Sequence, residues 1–150
     1  MKRLALLKTL LEREQKRRDE QMAAVRNAVA NAETQQQQAD GLTGYRSEYC
    51  RKWSAQFQQA ASIEILRSYQ GSLSRLDQAI TQQQSVLEHA HRMVEAQRQR
   101  LIEREIRVKT VQRLIERREA MLAKVADRRD QKNLDELAQR LLSGRTGGLA

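Results

Sequence analysis

Proline is absent from this 150-residue chain, and of its six glycines three are gathered at Gly144, Gly147 and Gly148. Little therefore interrupts the backbone before the last few residues, and a strand-rich fold, which needs frequent turns, is excluded. Aromatic residues make up only 3% and apolar residues 39%, against 31% charged. That is too little bulk for the core of a compact enzyme. The single cysteine, Cys50, excludes an internal disulfide and any cysteine-built zinc or redox pair, which fits a reducing, cytoplasmic setting. Long apolar runs are missing too. Lys8 interrupts the stretch Leu4-Ala5-Leu6-Leu7, and Glu12, Arg13 and Glu14 follow, so neither a signal peptide nor a membrane span is expected. What the chain does have is Ala, Leu, Gln, Glu, Arg and Lys, all good helix formers, in a length suited to one domain.

Those residues are ordered by a seven-residue repeat. Leu66, Leu73, Ile80, Leu87, Val94, Leu101, Val108, Ile115 and Leu122 follow one another at steps of seven without a gap. Three residues further on runs a second row, in which Tyr69, Leu76, Ala90, Val111 and Val125 alternate with the polar Gln83, Gln97, Arg104 and Arg118. One strong and one leaky row make a coiled-coil seam with left-handed supercoiling. The first half repeats the pattern more weakly, with Leu4, Leu11, Val25, Ala32, Ala39 and Trp53 on one row and Leu7, Ala28, Leu42 and Tyr49 on the other. Glu14, Arg18 and Gln21 break it, and loose packing is expected around them.

Two places compete for the turn between the halves. Gly41-Leu42-Thr43-Gly44 holds a glycine pair, but Leu42, Tyr45 and Tyr49 carry the apolar stripe through it. In Gln58-Gln59-Ala60-Ala61-Ser62, by contrast, Ser62 can cap a new helix whose first turn holds Glu64. The second site is preferred, leaving the glycines as a flexible or kinked stretch of helix one. The expected fold class is all-α, a long antiparallel two-helix coiled-coil hairpin with an overhanging C-terminal helix. Its single domain covers residues 1–142, with helix one at about 4–58, a turn at about 59–62, helix two at about 63–142 and a flexible tail at 143–150. Facing residue numbers then total about 121, setting Leu4 opposite Arg117 and Tyr45 opposite Leu76. Beyond that point helix two has no partner arm, and its apolar residues change phase to Leu134, Leu137, Ala138, Leu141 and Leu142. An amphipathic helix without an internal partner implies an external one.

Charge separates the two ends of such a hairpin. Seven basic and four acidic side chains lie in residues 1–20, and thirteen and seven in 92–132, whereas 33–91 holds five and six. The near-neutral stretch carries Tyr45, Tyr49, Trp53, Phe57 and Tyr69. Basic helices can be solvated faces laced by ion pairs such as Glu105 with Lys109, electrostatic docking surfaces, or nucleic-acid-binding surfaces. Interleaved acids and the lack of stacking aromatics in 92–132 disfavour nucleic acid. His89 and His91 are two apart, about 200° around a helix, too divergent to share a metal. No glycine-rich loop, serine elbow or carboxylate cluster marks a catalytic site. No enzyme, cofactor or metal is expected.

The segment Ala126-Asp127-Arg128-Arg129-Asp130-Gln131-Lys132-Asn133-Leu134-Asp135-Glu136-Leu137-Ala138-Gln139-Arg140 resembles the C-terminal signature of the FliJ family of the bacterial flagellar type III export apparatus. The coiled-coil pattern, Tyr45 with Tyr49, and the stripe Leu76, Ala79 and Ile80 extend the likeness over nearly the whole chain. The resemblance implies a non-enzymatic central stalk and export chaperone for flagellum biogenesis and motility, cytoplasmic and held peripherally at the inner membrane. Its partners would be a FliI-type export ATPase hexamer, a FlhA-type export gate and export chaperones, with no nucleic acid and no membrane insertion. It implies gate contact through Gln38, Leu42, Tyr45, Tyr49, Leu76 and Ala79. ATPase contact is implied through Arg128, Arg129, Asp130, Gln131, Lys132, Leu134, Asp135, Leu137, Ala138 and Arg140. The family's aromatic one turn before Leu76 is here Ser72, and a nearby histidine is Gln83. The alternatives are a self-dimerising coiled-coil scaffold or, less favoured, a basic nucleic-acid-binding rod.

Overall fold

A computed structural model describes residues 2–59 and 62–147, the side chains of 146 and 147 excepted. Among the described residues helix α1 (Lys2–Phe57) and helix α2 (Ile63–Gly147) are the only elements of regular structure, and they pack against each other as an all-α hairpin. The preferred turn is where α1 stops. Ser62 accepts a hydrogen bond from the Ile65 amide at 3.3 Å, its carbonyl accepts one from the Leu66 amide at 3.1 Å, and Glu64 lies in the first turn of α2. The cap and the acid both complement the positive end of α2.

The glycine pair does not interrupt α1. Gly41 and Gly44 are helical with negative φ, and a Cβ at either would meet no atom within 4 Å. Two exposed glycines weaken a helix by only about 1 kcal/mol each, and half-buried Leu42 and Tyr49 carry the apolar stripe past them. The expected end at Leu142 is also passed, since α2 continues to Gly147. Ser143 returns its hydroxyl to the Arg140 carbonyl at 3.1 Å, and Arg145 lies in the last turn, where a cation favours the helix. Residues 148–150 of the expected tail, and Ala60 and Ala61 of the expected turn, lie outside the described residues.

The chain packs as two units, Arg18–Arg104 and Met1–Arg17 with Glu105–Ala150. In the first, Ala32, Ala90 and Val94 are buried with Ala28 and Val29 packed against them. Only two helices meet here, so only small side chains disappear from solvent. Two polar members of the leaky row, Gln83 and Gln97, form paired layers on either side of this cluster. Gln21 Nε2 donates to Gln97 Oε1 at 2.6 Å and to its carbonyl at 3.0 Å, and Gln83 Nε2 donates to Gln35 Oε1 at 2.8 Å and to its carbonyl at 3.1 Å. Gln21, Gln35 and Tyr49 advance by two heptads at each step while Gln97, Gln83 and Tyr69 retreat by the same, so the three pairs share one register. That register is within one helical turn of the expected one.

In the second unit the buried apolar residues are Val108, Val111 and Ile115, together with Glu14, which is only 8% exposed. The loose packing expected from Glu14 to Gln21 is thus corrected, since Glu14 is buried and Gln21 is doubly bonded. Arg17 stands 3.8 Å from the Glu14 carboxylate. Past Leu122, which is half-buried, every residue from 123 to 145 is exposed. Val125, assigned to the seam by its spacing, is 54% exposed because no partner arm reaches it.

Candidate functional site

Two surfaces carry the residues singled out by sequence. The first is built where the hairpin closes. Tyr45, Tyr49, Trp53 and Phe57 recur at steps of four on α1 and so stack along one face, while α2 supplies Tyr69. Ring centroids are 6.2 Å apart for Tyr45–Tyr49, 5.5 Å for Tyr49–Tyr69, 5.8 Å for Trp53–Tyr69 and 5.2 Å for Phe57–Tyr69. Every aromatic residue of the chain is in this one cluster, which joins the two helices next to the turn. A side-chain hydrogen bond with Cys50, aided by burial, holds the Tyr69 phenol above its ordinary tyrosine value. Beside the cluster Arg46 donates to Asp77 across the two helices, and this bond raises the already high pKa of the guanidinium.

Tyr45 stands at the edge of the cluster and is 60% exposed. Together with Tyr49, Ser72, Arg75, Leu76 and Ala79 it lines an open groove of about 430 Å³. Four of the six residues expected in the gate contact therefore meet around one groove. Leu42 is half-buried and Gln38 exposed on α1, and neither lines it. Ser72 and Arg75 line it as well, and Arg75 bonds back to the Gly71 carbonyl at 3.3 Å. In the sequence Ser72 stands out only as a departure from the family pattern. Arg75 carries no signal of its own, although its position beside Leu76, opposite Tyr45, could have pointed to it.

The second surface is the far part of α2. Arg128, Arg129, Asp130, Gln131, Lys132, Leu134, Asp135, Leu137, Ala138 and Arg140 are all exposed along one unbroken helix. Leu134 is 65% and Leu137 55% exposed, and with Asp130 and Asn133 they line a groove of about 490 Å³. These leucines form an exposed apolar stripe between charged neighbours.

His89 and His91 are both exposed, and among the described residues no group of three or more His, Cys, Asp or Glu side chains could hold a metal ion. The anticipated Glu105–Lys109 pair is not among the ion pairs formed by the described residues, which are Glu14–Arg17, Asp19–Arg18 and Asp77–Arg46. Among the described residues no helix is long and apolar enough to cross a membrane. Two long paired helices, an aromatic-edged groove and an exposed leucine face define a helical-hairpin protein. A family model described as flagellar FliJ protein matches residues 2–147, and the chain belongs to that family, a flagellar, export-related one. Neither the curated proteins nor the solved structures contain a match.

Proposed function

We infer that the chain is a non-enzymatic stalk and export chaperone of the flagellar type III secretion machinery. In this reading the exposed segment of α2 enters a hexameric export ATPase of the FliI type. The groove at Tyr45 docks on the cytoplasmic part of a FlhA-type membrane gate, and export chaperones share the assembly. The protein then works in the cytoplasm at the base of the flagellum, held at the inner membrane only through its partners. The observation that carries the reading is the uncovered face of Leu134 and Leu137 in a helix that otherwise presents charge. Family membership supplies the machinery in which such a face would be used. Basic side chains of the same segment, Arg128, Arg129, Lys132 and Arg140, suit an acidic ring lining, where they would speed encounter and orient the helix.

The gate contact is supported by the character of Tyr45. Its ring is partly in solvent, stacks against Tyr49 and shares a groove with Leu76 and Ala79, an arrangement interface tyrosines favour. The two surfaces belong to different packing units, so each can be altered separately. The deciding experiment measures stimulation of the export ATPase by Leu134→Asp and Leu137→Asp variants, with helicity and melting temperature recorded in parallel. Stimulation should be lost with folding unchanged. Normal stimulation by both variants would dismiss the ATPase contact.

A further inference from the structure

Beyond its paired region, α2 presents Asp127, Asp130, Leu134, Leu137, Leu141 and Arg145 in succession on one face. At 100° per residue these six fall within an arc of about 80°, while Arg129, Lys132 and Glu136 occupy the opposite side. The leucines are 65%, 55% and 66% exposed, and Asp130 shares a groove with the first two. The face therefore reads, from N to C, acid, leucine, base. This order is complementary to itself when turned end for end. About a midpoint between Leu137 and Ala138, Asp130 comes opposite Arg145, Leu134 opposite Leu141, and Leu137 beside the axis. A parallel arrangement would instead set Asp130 against Asp130 and Arg145 against Arg145, which like-charge repulsion opposes.

We propose that residues 127–145 dock antiparallel on the same residues of a second copy of this chain. An interface of two-fold symmetry requires one patch that complements itself, and the acid-leucine-base order meets that requirement. Each copy covers three leucines of the other, and two equivalent Asp130–Arg145 pairs at the ends set the register. The contact is small and rim-charged, so the dimer is weak and salt-sensitive. Its consequence for export rests on the ATPase contact inferred above. The same leucines cannot face a second copy and a ring lining at once, so self-docking covers the stalk tip until the ring displaces it. The pairing itself does not depend on that reading, and its test uses the protein alone.

The test uses the full chain with Cys50→Ser and single cysteines introduced by Leu134→Cys, Leu137→Cys or Leu141→Cys. Under mild oxidation Leu137→Cys should link to itself. Leu134→Cys and Leu141→Cys should link efficiently to each other in a mixture and poorly alone. Efficient self-linking by all three variants would indicate parallel pairing and overturn the proposal. In sedimentation equilibrium at low salt, Asp130→Arg or Arg145→Asp should weaken the dimer about tenfold, because each change turns two exposed attractions per dimer into repulsions. Combining the two changes in one chain should restore it. A chain that stays monomeric at every concentration, or a dimer indifferent to both reversals, would also overturn the proposal. The side chains altered on α2 are all exposed, and half-buried Cys50 is serine in every variant compared, so circular dichroism should show the same helicity throughout.

Discussion

The two glutamine pairs illustrate what a polar residue does in a seam only two helices thick. A part-buried amide without a partner costs about 1–3 kcal/mol, whereas two amides bonded to each other roughly balance the water they lose. Gln21 with Gln97, and Gln35 with Gln83, are satisfied only in the observed register. Replacing Gln97→Leu alone should therefore lower stability by about 1–2 kcal/mol, and Gln21→Leu with Gln97→Leu should recover most of it. Chemical denaturation of the three variants, read as a double-mutant cycle, measures the coupling; additive losses would dissolve the pair. Tyr69 allows a second test. Its pKa is raised in the folded chain, so its contribution is complete below the unfolded value of about 10 and is lost as pH rises through the folded one. Melting temperature recorded from neutral to strongly alkaline pH should fall less for Tyr69→Phe than for the parent. A parallel decline in both would assign the alkaline loss to other groups.

Helix α1 runs through Gly41 and Gly44 although neither position needs glycine. Both have negative φ and open space where a Cβ would stand. Gly41→Ala and Gly44→Ala should each raise stability by about 1 kcal/mol, seen as a higher denaturation midpoint with unchanged slope. A loss instead would mean that α1 must yield at these positions. Helix α2 owes its start to one side chain. Ser62→Ala removes the acceptor of the Ile65 amide and should cost about 1 kcal/mol, with the loss concentrated in hydrogen-exchange protection of the first turn. The turn also has a cause that lies in the phase of the repeat. Tyr49 and Tyr69, which stack on each other, are one residue short of three heptads apart. On an uninterrupted helix that missing residue would rotate the seam by about 100°, so a straight continuation could not keep both halves of the stripe on one side.

At the scale of the molecule, the hairpin can be checked by joining facing seam positions. With Cys50→Ser in place, Gln35→Cys and Gln83→Cys should form a disulfide within one chain and leave the monomer band unchanged on a non-reducing gel. Links found only between chains would replace the hairpin with an intermolecular coiled coil. Much of this was legible from residue order. Composition without proline, with scarce glycine and few aromatics, dictates helices, and the seven-residue spacing of Leu66 to Leu122 dictates a seam, because both follow from backbone geometry and local burial. Ser62 marks the turn for the same local reason. The gaps in the leaky row read as defects, since a polar residue in isolation carries no sign of its partner. Only the tertiary structure turned two of them, Gln83 and Gln97, into bonded layers, by bringing together glutamines far apart in sequence. It alone carried α2 through Ser143 and Gly144, left Val125 in solvent, and set Arg75 and Ser72 beside Tyr45. Each of those outcomes depends on where the other helix ends or which side chain it presents, and helical periodicity within one segment contains no such information.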